Sequence, residues 1–307
     1  MLQIPSIVRS MQSYHPNESG VCVRLLSPLG CYPERLAFAR PDSAIVVADD
    51  LVALVTKFSP IPCPEDFFTE VEFLSAFEVR VLASLVISRE PESGGIKLYP
   101  VASEYKDCNY SLDLSNETVL QHLLDSLRHR LSKDSVRTMI HCPPCGGGRP
   151  YEFNQYANMR RERHDEISRS IDVSDHLVIR GLGALIKAGM LACHQEYLEQ
   201  ACMCLWIALE ASLALTQRKL RAQGNPNPSP KDAGNLIDSV FAANRKSEGY
   251  FQDFYYTRVS AMHPESSFGT YPAAPLCADE YFLLNESLLA VYDFLLTDHV
   301  ASEWKDR

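Results

Sequence analysis

The sequence predicts an α+β amino-terminal region followed by an all-α bundle of five helices. The first half contains short β-branched runs separated by prolines and glycines, which is typical of strands and turns. From residue 174 onward, apolar residues recur three and four positions apart, which is helical spacing. We therefore divide the chain into a mixed domain over residues 1–165 and a helical domain over residues 170–307.

The first hundred residues carry most of the strand signals. Residues 1 to about 40 are expected to be irregular, because prolines interrupt short apolar runs such as Val21–Leu26. The β-branched run Ala44–Ala48 predicts a buried strand, and Leu51–Phe58 fits a strand or a short helix. Lys97–Val101 is predicted to be a strand because it follows a glycine pair.

Two further segments of this half have helical features. Residues 66–88 begin with helical periodicity, but Val79–Ile87 at the end of this stretch fits a strand as well. Ser115–Ser132 predicts a helix, with Ser115 as its cap and leucines four positions apart.

A glycine-rich segment contains the pair Cys142 and Cys145, a spacing that is also found in zinc knuckles. A structural zinc site needs four ligands, and the candidates to complete it are His141, Cys108 and His164. An ordinary turn with reduced thiols and a redox pair are the alternatives. We favour the turn, and therefore expect neither a metal nor another cofactor.

A small basic cluster, residues 159–164, stands out in an otherwise acidic chain. We interpret it as the solvated surface of a helix or linker, with contact to RNA as the alternative.

The second half predicts five helices. Asp172, Ser174 and Asp175 are capping candidates for the first, in which Gly181, Gly183 and Gly189 would allow a neighbour to approach closely. The approximate ranges of the five are 174–190, 194–222, 231–243, 250–263 and 278–302.

The fourth of these helices carries the residues with the clearest chemistry. Its apolar stripe is predicted to contain Phe251, Phe254, Tyr255, Val259 and Met262. Arg258 lies near its end, and His263 precedes Pro264, which disfavours helix at the histidine. An arginine can hold the anionic oxygens of a phosphodiester, and a histidine can transfer the proton. Capping of the last carbonyls by the same two side chains is the structural alternative.

The bulk composition limits the classes of function. The chain has 307 residues and a net charge of −10, which argues against broad, non-specific binding to nucleic acid. Ten unevenly spaced cysteines do not form a secreted disulfide framework. The amino terminus has no secretory pattern and no apolar window reaches transmembrane length, so we expect a cytoplasmic protein that does not contact a membrane.

The helical half resembles the HEPN superfamily, and within it the Apea-like HEPN domains. The residues that carry the resemblance are Trp206–Glu210 in the longest helix and the Tyr255–Arg258–His263 pattern, followed by a last long helix. The resemblance covers roughly residues 170–302 and implies metal-independent cleavage of RNA by a homodimer that pairs through its helical domains. It also implies that Arg258 and His263 are catalytic and that Glu210 supports Arg258. A toxin or antiphage effector with a regulatory or antitoxin partner fits this picture.

One position departs from the family pattern. Active members usually carry a polar residue directly after the arginine, and this chain has Val259 there. The alternative function is therefore a non-catalytic HEPN bundle that dimerises or binds a ligand or RNA.

Overall fold

The computed structural model describes the chain in twelve segments. These are residues 20–30, 32–33, 36–48, 51–58, 74–90, 96–107, 113–122, 125, 156–157, 159–241, 249–262 and 278–298.

The amino-terminal part contains a five-stranded sheet in the order β3-β4-β5-β1-β6. The strands are β1 (Gly20–Gly30), β3 (Leu36–Ala39), β4 (Ser43–Ala48), β5 (Leu51–Phe58) and β6 (Ile96–Asp107). Neighbours β3–β4, β4–β5 and β5–β1 run antiparallel. A second, parallel pair joins β2 (Tyr32–Pro33) to β7 (Tyr156–Ala157).

The expectation of irregular structure up to residue 40 is wrong, because β1 and β3 lie there. The side chains of Val21, Val23 and Leu25 alternate onto one face of β1 and join a buried cluster. Val23 pairs with Val55 of β5, which completes the same cluster. Pro28 lies within β1 and Pro33 within β2, and Pro41 lies in the turn between β3 and β4, so these prolines do not prevent strands from forming. Strands are confirmed at Ala44–Ala48 and at Leu51–Phe58.

The ambiguous stretch Val79–Ile87 belongs to a helix, α1 (Ala76–Ile87). A capping box begins this helix: Ser75 Oγ accepts from the Glu78 backbone, and a Glu78 carboxylate oxygen accepts from the Ser75 backbone. Glu78 is also ion-paired with Arg24 of β1 at 2.6 Å, and both side chains are buried.

The helix predicted at Ser115–Ser132 is described only at its start, residues 117–122 and 125. Asn116 caps it, since its side-chain oxygen accepts from the backbone of Thr118 and Val119. Ser115 instead bonds to Asp113, so the predicted cap is displaced by one residue.

The remainder is mostly helical. Its helices are α2 (Arg161–Ser170), α3 (His176–Leu191), α4 (Leu198–Ala222), α5 (Pro230–Val240), α6 (Tyr250–Met262) and α7 (Ala278–Thr297). Helix α4 packs against α3, α5, α6 and α7, so it is the centre of this part. It begins at Leu198 rather than near His194, because a 3₁₀ turn at Gln195–Tyr197 precedes it. Residues beyond 298, where the last helix was predicted to continue, lie outside the described segments.

Capping side chains fix the first residues of two of these helices. Asp175 caps α3 by accepting from the backbone of Leu177 and Val178. Ser229 and Asp232 form a reciprocal capping box around Pro230, the first residue of α5.

Close packing around α3 depends on one glycine. A Cβ on Gly181 would lie 2.0 Å from the Tyr292 hydroxyl and 2.9 Å from Cβ of Ala211. The predicted role is thus confirmed for Gly181. It is not found for Gly189, whose Cβ would have no neighbour within 4 Å, while Gly183 would make an ordinary contact.

The basic cluster at residues 159–164 is only partly the solvated surface that we expected, since Arg161 and Glu162 are exposed. Arg163 and His164 are buried, with 7% and 3% exposure. Arg163 donates to the Asp293 carboxylate and the Thr297 hydroxyl of α7, and pairs with Glu166. Arg163 and His164 lie in the part of α2 that packs against α7.

Two compact units divide the chain, and each draws on more than one segment. The first contains residues 1–26, 35–78 and 100–139, and the second contains residues 27–34, 79–99 and 140–307. The second unit thus includes most of α1 and the start of β6, so a single cut near residue 165 does not separate the two units.

Helix α4 is long and apolar enough to cross a membrane, contrary to the expectation that no window is. Half of its apolar window is buried inside the second unit, where it packs against its neighbours. A single helix of this kind is weak evidence for a membrane span.

Candidate functional site

Helix α6, which carries the candidate arginine, is fixed at its start by α5. Gly249 has a φ of 113°, a left-handed conformation that favours glycine, and it directly precedes the helix. The backbone N–H of Tyr250 donates to the Asp238 carboxylate of α5 at 3.3 Å. The ring of Tyr250 is buried, and its hydroxyl lies 3.2 Å from Ser287 Oγ of α7. Both neighbouring helices therefore hold the amino end of α6.

The buried face of α6 differs from the predicted stripe. Tyr250 and Phe251 are buried and their rings meet edge to face. Tyr255 was predicted to be buried, but its exposure is 48%. The structure describes no side chain for Met262. Among the side chains of α6 that the structure describes, the buried ones lie in its first turn, whereas Tyr255 and Tyr256 are exposed.

Arg258 and Glu210 form an ion pair between α6 and α4, in which Nη1 of the guanidinium donates to Oε1 of the carboxylate. The sequence placed both residues in the site, and the structure brings them together. The guanidinium carbon of Arg258 also lies 5.7 Å from the ring centroid of Tyr255, one helical turn earlier. This is the geometry of a cation–π contact. Arg258 is thus oriented from two sides.

The pair is only partly shielded from solvent. The side-chain exposure is 32% for Arg258 and 50% for Glu210. An ion pair at such a surface contributes about 0–1 kcal/mol to stability. A guanidinium has five N–H groups, so four remain when Glu210 occupies one. Arg258 can therefore bind a phosphate while its contact with Glu210 persists.

Two exposed apolar side chains lie on the same face of α4 as Glu210. On α4, Met203 and Ile207 precede Glu210 by seven and three positions, which puts them on the same helix face. Their exposures are 38% and 37%. The ion pair therefore lies beside apolar side chains of α4 and the half-exposed ring of Tyr255.

The second predicted catalytic residue, His263, lies outside the described residues, as does Pro264. Val259, the departure from the family pattern, is half-buried on α6. The contact between Tyr255 and Arg258 was not predicted, although their spacing of three residues signals it on a helix.

The zinc hypothesis concerns residues that are mostly outside the described segments: His141, Cys142, Cys145 and Cys108. Its remaining candidate, His164, is buried in α2. No three histidine, cysteine or acidic side chains among the described residues are grouped so that they could hold a metal ion.

The chain was compared with protein-family models, with curated proteins and with solved structures, and none of the three comparisons finds a match.

Proposed function

We propose that this protein is a metal-independent endoribonuclease of the HEPN type, with Arg258 and His263 as its catalytic pair. The observation that carries the proposal is the ion pair of Arg258 with Glu210, which holds the guanidinium at the surface near the end of α6. His263 is the residue directly after Met262, the last residue of that helix.

In the proposed reaction, the ribose 2′-oxygen attacks the adjacent phosphorus and the bond from phosphorus to the 5′-oxygen breaks. The 2′-hydroxyl loses a proton and the departing 5′-oxygen gains one. The products are a 2′,3′-cyclic phosphate and a 5′-hydroxyl. His263 carries one of these proton transfers, a role that contributes about 10²–10⁴ in rate.

Arg258 stabilises the charge that builds on the phosphate oxygens during the attack. Glu210 is the positioning residue, since it fixes the direction of the guanidinium without touching the substrate. The proposed active form is a homodimer in the cytoplasm, in which two helical units bring their Arg258 and His263 residues to one cleft. A toxin or antiphage role with a regulatory or antitoxin partner follows from this proposal.

A second candidate function is a non-catalytic bundle that dimerises or binds a ligand or RNA. The exposed apolar side chains of Met203, Ile207 and Tyr256 favour it, because such a surface suits an interface. Val259 favours it too, since a branched apolar side chain cannot form a hydrogen bond with the substrate.

The test is incubation of the full-length protein with RNA in EDTA. Wild type is expected to produce 2′,3′-cyclic phosphate ends, and His263→Ala to lose about 10²–10⁴ in rate. Arg221→Ala removes an exposed arginine from the end of α4 and serves as the matched control. Absence of cleavage by wild type, or an unchanged rate in His263→Ala, would contradict the nuclease. A dimer measured by light scattering together with that result would favour the non-catalytic bundle.

A further inference from the structure

The side chain of Arg258 folds back toward the amino end of α6. Its guanidinium carbon lies 5.7 Å from the ring centroid of Tyr255, three positions earlier on the helix. This direction follows from helix geometry, because Cα–Cβ bonds tilt toward the amino terminus and long side chains lie over the preceding turn. Two aromatic rings belong to that turn, but the ring of Phe254 meets that of Tyr250 at 5.2 Å. Tyr255 is therefore the ring that receives the arginine.

The ring of Tyr255 and the carboxylate of Glu210 restrain the guanidinium in different ways. Glu210 accepts a hydrogen bond from Nη1 of Arg258. The ring attracts the cation through its π electrons and not through an oxygen acceptor. A phosphate binds an arginine through N–H groups in the guanidinium plane, often two at a time. The contact with Tyr255 therefore limits the rotation of the guanidinium without competing with a phosphate for those N–H groups.

The two restraints also differ in their dependence on salt. The side chains of Arg258 and Glu210 are 32% and 50% exposed, so dissolved ions screen the attraction between their charges. The attraction between a guanidinium and an aromatic ring acts at short range, with dispersion contributing, so salt weakens it less. The ring therefore continues to orient the guanidinium under conditions in which the ion pair weakens.

We infer that Tyr255 is a positioning residue of the proposed active site, whose ring holds the Arg258 guanidinium in the orientation that stabilises the reacting phosphate. The inference rests on the proposed function, because it assigns Tyr255 a role in that same site. Tyr255 acts through Arg258 and does not itself touch the substrate. The role belongs to the ring and not to the hydroxyl, because the ring makes the contact with the guanidinium. The 48% exposure of Tyr255, which the predicted apolar stripe does not explain, fits this role.

The kcat for RNA cleavage by the full-length protein tests this role. Tyr255→Leu removes the ring and is expected to lower kcat about twofold to fivefold, the range that an exposed cation–π contact provides, while KM changes little. Tyr255→Phe retains the ring and is expected to keep the wild-type kcat. Tyr197→Leu is the matched control, because Tyr197 is 47% exposed, against 48% for Tyr255, and lies at the amino end of α4. It is expected to leave kcat unchanged.

Salt distinguishes the contribution of the ring from that of the carboxylate. Raising the salt concentration from about 0.1 M to about 0.5 M shortens the range over which exposed charges interact. The loss of kcat in Glu210→Gln, relative to wild type at the same salt concentration, is therefore expected to shrink. The loss in Tyr255→Leu is expected to persist. A loss in Tyr255→Leu that shrinks in parallel with that in Glu210→Gln would contradict a separate restraint by the ring.

A measurement without RNA keeps this inference separate from the proposed function. In protein labelled with ¹⁵N-arginine, the Nε–H proton of Arg258, assigned with Arg258→Lys, is expected to resonate upfield because the Tyr255 ring shields it. Tyr255→Phe is expected to keep this shift and Tyr255→Leu to abolish it. The inference is overturned if Tyr255→Leu leaves the shift unchanged, if its kcat equals or exceeds that of wild type, or if Tyr255→Phe loses as much activity. A wild type that does not cleave RNA removes the proposed function, and the shift alone then decides whether the ring orients the guanidinium.

Discussion

The hydroxyl of Tyr292 occupies the space beside Gly181 that any larger residue would need. The hydroxyl donates to the Ala208 backbone carbonyl at 2.8 Å, and both Tyr292 and Ala208 are fully buried. Through this contact, α7 and α3 are packed against the same turn of α4. The hydroxyl cannot move away without losing a buried hydrogen bond.

Gly181→Ala is therefore expected to lower the free energy of unfolding by about 1–3 kcal/mol, the usual cost of overpacking. Gly189→Ala on the same helix is the control. It meets no atom within 4 Å, and replacing a helical glycine by alanine stabilises a helix by up to about 1 kcal/mol. Urea denaturation of the two variants measures both effects. Equal changes in the two would contradict the packing described for Gly181.

A buried network between α2 and α7 makes a second prediction. Asp293→Ala removes the buried carboxylate partner of Arg163 and leaves it paired with the half-exposed Glu166, so we expect a loss of about 3 kcal/mol in unfolding free energy, the lower end of the cost of breaking a buried ion pair. Arg169→Met, an exposed arginine on α2, should change it by no more than about 0.5 kcal/mol. Thermal unfolding followed by circular dichroism distinguishes the two outcomes. A small loss in Asp293→Ala would mean that the network is of little consequence for folding.

The cap of α3 predicts a dependence of stability on pH. Burial acts to raise the pKa of Asp175, but the Arg218 guanidinium and the backbone N–H groups of Val178 and Leu177 outweigh it, and the pKa is lowered. A carboxylate with a lowered pKa stabilises the fold above its unfolded value of about 3.9, and this contribution is lost as the pH falls through the folded pKa.

Asparagine caps a helix as well as aspartate does, but Asp175→Asn removes the charge that pairs with Arg218. The variant should therefore be less stable than wild type at pH 7, by up to about 1 kcal/mol, with a difference that shrinks below about pH 4. Urea denaturation at a series of pH values measures this convergence. A difference that stays constant down to pH 2 would show that the charge of Asp175 is unimportant.

Glu210 provides a prediction that bears on the proposed function. Glu210→Gln removes the charge that orients Arg258, so we expect the kcat for RNA cleavage to fall about tenfold to a hundredfold, while KM changes little. Glu196→Gln, an exposed glutamate just before α4, is the control. An unchanged kcat in Glu210→Gln would make the carboxylate a surface group with no positioning role.

Sequence periodicity was sufficient to predict the helices of the second half, because a helix that buries one face has apolar residues three and four positions apart. It was ambiguous at Val79–Ile87, where burial is nearly continuous and the period disappears. The Ser75–Glu78 capping box would have resolved that ambiguity in favour of a helix. The strands before residue 40 were missed because the closely spaced prolines were given more weight than the β-branched residues between them.

The candidate site was only partly accessible to sequence reasoning. The Arg258–Glu210 ion pair joins residues 48 positions apart, so it depends on the packing of α6 against α4. Burial of Arg163 and His164 was missed because charge alone predicts a solvated surface, whereas the Asp293 partner of Arg163 lies 130 positions away along the chain. Local patterns do not encode such distant partners.

The second unit takes residues 79–99 from the amino-terminal half of the chain, and this has a practical consequence for dissecting the protein. A fragment that starts near residue 170 would lack most of α1 and the start of β6, whose side chains face the same cavity as Leu185 and Leu289. Expressed alone, such a fragment would expose apolar side chains that are covered in the intact protein, and it would aggregate. A negative result obtained with it would say nothing about the activity of the intact protein.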